Sequence, residues 1–115
     1  MDIKLTKDAD ALICLIYKEY LSRRKTGATR DKAKRTGGSK NIHDLIAPKL
    51  SIEDVEDICR ELDRAGLLNC FYADNRVYDA CLSDVGIIYM ENRFTAGITS
   101  VIEYLAKIKS IVPFI

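Results

Sequence analysis

The residues best suited to chemistry are few. His43, the single histidine, is followed by Asp44, and a histidine oriented by a carboxylate can act as a general base. Both fall on a short predicted helix, where adjacent residues do not face each other. No nucleophile motif lies nearby, so His43 reads as a partly exposed polar residue on that helix and no catalytic residue is expected. "TGGSKN" (36–41) offers a second chemistry. Gly37 and Gly38 permit close backbone approach and lead through Ser39 and Lys40 into a helix start, where free N–H groups attract anions. The G-K-[ST] order and the preceding strand of a nucleotide loop are absent, so a single DNA phosphate is the better-fitting ligand.

Around that motif the charge is one-sided. Arg23, Arg24, Lys25, Arg30, Lys32, Lys34, Arg35 and Lys40 fall within residues 22–40 with Asp31 the only acid among them. The next segment, "SIEDVEDICRELDRAGLL" (51–68), is the reverse: Glu53, Asp54, Glu56, Asp57, Glu61 and Asp63 stand against Arg60 and Arg64. The whole chain nets only +1, so the map of charge is more informative than its sum. Cys14, Cys59, Cys70 and Cys81 form no C-x-x-C pair and lie in apolar-rich segments. Neither disulfides nor bound zinc are expected, which fits a cytoplasmic chain, and no cofactor is implied.

These side chains must be positioned by one domain, since 115 residues supply a single core. With 48% of residues hydrophobic and 30% charged, the composition is that of a folded protein. The N-terminal apolar run is flanked by Asp8, Asp10, Lys18 and Glu19, so it predicts neither a signal peptide nor a membrane span. Ala9, Leu12, Ile13, Ile16 and Tyr20 predict a helix over 7–22. Residues 23–40 lack an apolar period and read as a long, mobile, basic loop. A short helix over 41–47, capped by Asn41 or Ser39, buries Ile42, Leu45 and Ile46 and closes before Pro48. Ser51 caps the next helix, with Asp54 placed as in a capping box, and Gly66 ends it. "ADN" joins two strands at about 67–72 and 76–82. Ser83 caps "DVGIIYMENR", and a last helix runs over 95–112 to Pro113.

The expected fold is therefore mainly α with a small antiparallel β-hairpin. On "LSIEDVEDICRELDRAGLLNCF", "YADNRVYD" and "LSDVG", covering about residues 40–93, the chain resembles the winged helix-turn-helix family, here with an added C-terminal helix. More weakly, "LSDVGIIYMENRFTAGITSVIEYLAKIKSI" looks like the small prophage-associated YjcQ-like winged-helix proteins, a likeness that implies fold more than activity. The basic segment of residues 23–40 is longer than that pattern.

Two functions follow as expectations. One is a non-enzymatic DNA-binding regulator that contacts phosphates through the basic loop, with Lys40 and Arg76 of the wing, because the acidic helix at 51–66 would meet the phosphates unfavourably in the usual docking. The other is a protein-interaction module that presents the acidic helix to a basic partner. Phe94, Ile98, Val101, Leu105, Ile108, Val112 and Ile115 recur at spacings of four and three. That stripe either packs on the first helix of its own chain or forms a homodimer, with Leu12, Ile16, Ile98, Val101, Leu105 and Ile108 at the interface.

Overall fold

The computed structural model describes residues 2–115, folded as six helices and one antiparallel hairpin. Helix α1 spans Lys7–Lys25 and is started by Thr6, whose hydroxyl accepts the Ala9 N–H. It runs three residues beyond the predicted end because Arg23, Arg24 and Lys25 suit the negative end of the helix dipole. Helix α2, Arg30–Lys34, lies inside the segment read as a loop. Thr29 caps it and Ala33 is its one buried residue, so it has no apolar period for a sequence reading to find. Residues 35 and 36 then run beside the hairpin: Arg35 forms a bridge to Cys81, and the Thr36 N–H donates to the Ala80 carbonyl at 3.0 Å. The mobile-loop reading of 23–40 is thus corrected to a helix end, a turn, a capped helix and a short extended run.

Helix α3 is Ser39–Leu45, with Gly38 rather than Asn41 or Ser39 at the cap. Leu45 of its expected buried stripe is exposed. Helix α4 is Ile52–Arg64, capped by Ser51, which accepts the Asp54 N–H at 3.1 Å. Gly66 follows at φ 80°, the left-handed geometry that lets the chain reverse into the sheet. Strands β1 (Leu68–Ala73) and β2 (Arg76–Leu82) pair antiparallel with a bulge between Phe71 and Tyr72. Asp74 and Asn75 both take positive φ, the pattern of a two-residue turn that matches strand twist. Helix α5 is Asp84–Arg93 and α6 is Ile98–Ile108. The predicted last helix of 95–112 is shortened at both ends, since Phe94 closes α5 and residues 109–111 lie in turns.

The core is built around α1, which is packed by α2, α4, α5 and α6. Leu12, Ile13 and Ile16 meet a shell that includes Leu62, Leu67, Leu82, Met90, Val101 and Leu105. One chain therefore covers the wide apolar surface of α1 from several sides. Of the six residues expected at a homodimer interface, Leu12, Ile16, Val101 and Leu105 are buried within the single chain, and Ile98 and Ile108 are half-buried. The order of helix, bridge, two helices and hairpin is compatible with a winged helix-turn-helix. No helix among the described residues is long and apolar enough to cross a membrane.

Candidate nucleic-acid interface

The fold sorts the nine candidate cations into two groups. Arg23, Arg24 and Lys25 end α1, and Arg30, Lys32 and Lys34 lie on α2, with Arg35 just after it. The two helices are tied together at this end, because the Arg23 guanidinium donates to the Arg35 carbonyl at 2.5 Å. Arg24 donates to the Ala28 carbonyl at 3.1 Å and so closes the intervening turn. Lys40 and Arg76 stand apart from these seven and share a groove of about 350 Å³ with Ser39, Asn41 and Tyr78.

Most of these cations have a carboxylate partner. Arg30 and Lys34 both reach Asp84 Oδ1, at 3.0 and 3.3 Å. Arg35 pairs with Asp31 at 3.4 Å, Arg23 with Glu19 at 3.2 Å and Lys40 with Asp44 at 2.8 Å. Arg24, Lys25, Lys32 and Arg76 make no ion pair among the described residues. The Arg30, Arg35 and Lys40 pairs are largely exposed, and solvent screens exposed pairs so strongly that a phosphate can displace the carboxylate at small cost.

The "TGGSKN" motif has a different use from the one its sequence implies. Gly38 lies so close to β2 that an added Cβ would overlap the carbonyl oxygens of Tyr78 and Val77. Buried Ser39 also donates to the Val77 carbonyl, at 3.4 Å. The close backbone approach anticipated for a phosphate is made by the protein's own strand, and α3 is only seven residues long. The reading of this loop as a phosphate cradle is corrected on that ground; Lys40 and Asn41 are its exposed residues.

His43 and Asp44 meet after all, at 2.8 Å between Nδ1 and Oδ1. The expectation that sequence neighbours cannot face each other fails here because Asp44 bends to take His43 on one oxygen and Lys40 on the other. The bond from Lys40, then that from His43, lowers the Asp44 pKa, and the same bond raises that of Lys40. His43 makes no other hydrogen bond among the described residues.

The acids of α4 divide by role. Both oxygens of Glu56 accept the Val77 N–H, at 3.1 and 3.0 Å, which fixes the base of the hairpin to α4. Glu61 accepts the Thr6 N–H at 2.8 Å and the Thr6 hydroxyl at 2.7 Å, so it anchors the start of α1. Asp63 accepts the Tyr72 hydroxyl at 2.6 Å, and burial followed by this bond raises the Tyr72 pKa. Arg60 donates to the Asn75 carbonyl at 2.9 Å and lies 4.7 Å from the Tyr72 ring centre. Glu53, Asp54 and Asp57 are left exposed. Glu53 and Asp57 border a groove of about 540 Å³ between α4 and the hairpin tip, with Asp74 and Arg76 opposite.

The least exposed ionic cluster escaped the sequence reading. Arg93 grips both oxygens of Asp10, and the Tyr104 hydroxyl donates to Asp10 Oδ2 at 2.6 Å. Arg93 also lies 4.5 Å from the Tyr104 ring centre and 4.9 Å from that of Phe94. These residues are up to 94 positions apart, and no local spacing signals them. Burial pushes the thiols of Cys14 and Cys59 up to about 12 and that of Cys70 up to about 11, which disfavours the reactive thiolate at these three positions. Among the described residues, no three His, Cys, Asp or Glu side chains are grouped to hold a metal ion. No family model, curated protein or solved structure matches the chain.

Proposed function

We propose that this chain is a non-enzymatic nucleic-acid-associated protein of the winged-helix kind, a small regulator that meets phosphates with the last turn of α1 and with α2. The observation that carries this reading is the folding of seven cations onto one end of the molecule, tied by the bond from Arg23 to the Arg35 carbonyl. The exposed ion pairs of Arg30 and Arg35 exchange readily for phosphate. Helix α4 does not lead the contact. Exposed Glu53, Asp54 and Asp57 at its start would lie against a polyanion.

The test is a titration of labelled random duplex at low salt with wild type and with a variant carrying Arg30→Ala, Lys32→Ala, Lys34→Ala and Arg35→Ala. Circular dichroism checks that the variant is folded. The expected result is binding that weakens at least ten-fold in the variant; equal affinity for the two would reject this surface.

A second reading rests on the groove beside α4, where Glu53, Glu56, Asp57 and Asp74 outnumber Arg60 and Arg76. There a cationic segment of a protein partner would dock. A wild type that ignores duplex at low salt but binds a lysine- and arginine-rich peptide, with loss on Glu53→Gln and Asp57→Asn, would transfer the function to that groove.

A further inference from the structure

Two large aromatic side chains on the hairpin have no partner to explain them. Phe71 is 61% exposed and Tyr78 is 75% exposed. The pairing defines where Phe71 sits. Directly opposed residues of an antiparallel pair share a face, and alternate residues share it too. Asn69 opposes Cys81, Phe71 opposes Asp79, and Arg35 bridges to Cys81 from the other side. Phe71 therefore shares the outer face of the sheet with Arg35, while Cys70, whose thiol reaches the Cys59 carbonyl at 3.7 Å, marks the inner one.

Beside Phe71 lies a cleft of about 170 Å³ walled by Lys34, Arg35, Asp31 and Asp79. Both acids there are occupied: Asp31 by Arg35, and Asp79 by the Ala80 N–H at 2.9 Å. Tyr78, at the bulge, borders the separate groove that holds Lys40 and Arg76 along with Asp74. Each exposed ring is thus paired with its own cations, on either side of one strand.

A flat ring beside a guanidinium or ammonium is the combination that binds unpaired bases, the ring stacking on the base and the cation meeting its phosphate. Duplex DNA hides its base faces and would leave both rings unused. Resting on the phosphate-binding reading above, we infer that the preferred ligand is single-stranded nucleic acid, laid across the outer face of the hairpin with bases on Phe71 and Tyr78 and phosphates on Lys34, Arg35, Lys40 and Arg76. The ligand is recognised by chemistry common to DNA and RNA strands.

Fluorescence anisotropy with labelled twelve-nucleotide oligo-dT, oligo-U and a blunt duplex of equal length tests this on the full chain. Stacking on one aromatic ring amounts to roughly 1–3 kcal/mol, so Phe71→Ala is expected to weaken single-strand binding about five-fold or more and to leave duplex binding unchanged. Phe71→Tyr should restore it, whereas Phe71→Leu, which keeps apolar bulk without the ring, should not. Tyr78→Ala is a separate arm that does not depend on the stability of the Phe71 variants. Comparison of oligo-dT with oligo-U identifies the kind of strand. Single-strand affinity untouched by Phe71→Ala and Tyr78→Ala would overturn the inference; if the four-alanine variant still loses binding, the phosphate reading stands. Absence of binding to all three probes at low salt would overturn both.

Discussion

Asp10 takes three hydrogen bonds from two residues that belong to different helices, so one carboxylate fastens α1 to α5 and α6. Burial pushes its pKa up, but the bonds from Arg93 and Tyr104 outweigh that and hold it below the ordinary value of 3.8. A lowered folded-state pKa contributes stability that is present above the unfolded value and lost as pH falls through the folded one. Asp10→Asn should therefore cost about 1–3 kcal/mol near neutral pH, because it leaves the mostly buried Arg93 without its counter-charge. Urea melts at several pH values check this: the gap between wild type and variant should narrow below about pH 4, and a gap constant down to pH 3 would exclude the mechanism. Gly38 is the other sensitive position. An alanine there would push into the backbone of β2, with an expected loss of roughly 1–3 kcal/mol in the same assay.

At the scale of elements, α4 decides how the hairpin is held. Its acidic face looks in sequence like a solvated surface opposed to DNA, yet Glu56, Glu61 and Asp63 serve the fold through Val77, Thr6 and Tyr72. A carboxylate on a backbone N–H contributes about 1.5–3 kcal/mol. Glu56→Ala should release the first part of β2, with amide exchange at Val77 accelerating relative to that at Leu82, which is enclosed by the core. Uniform acceleration at both sites would mean that Glu56 stabilises the whole chain and not the hairpin locally. The hairpin carries both exposed aromatics, so a loosened β2 would also weaken the binding surface inferred above.

Over the whole molecule, the radius of gyration is 13.1 Å, close to the roughly 13 Å of a compact domain of this length. Within it α6 closes the core over α1. Leu105→Ala removes a buried side chain at that junction and should cost about 2–4 kcal/mol, seen as a shifted urea midpoint that does not depend on protein concentration. A midpoint that rises with concentration would restore the two-chain assembly. The separated charges set a second expectation. If α1 and α2 neutralise phosphates, the logarithm of the duplex-binding constant should fall linearly with that of salt, and removing Lys32 and Arg35 should lower the slope by nearly two. An unchanged slope would place the contact elsewhere.

Local rules carried much of this protein in its sequence. Ser51, Gly66 and Ser83 bound their elements where capping chemistry requires, and the turn between the strands follows from Asp74 and Asn75 accepting positive φ. These features depend on residues within a few positions of each other, so the chain states them directly. Helix α2 was not legible, since five residues with one buried alanine show no period. Nor was the role of Gly38, whose neighbour across space is a strand some forty positions later. The same holds for the charges. Sequence determined that cations crowd 22–40 and acids 53–63; only the tertiary structure decided which of them face solvent and which hold Val77, Thr6 and Tyr72. It also decided that the apolar stripe of α6 belongs to the core, because what covers a helix face is set by every element packed around it and not by its own periodicity.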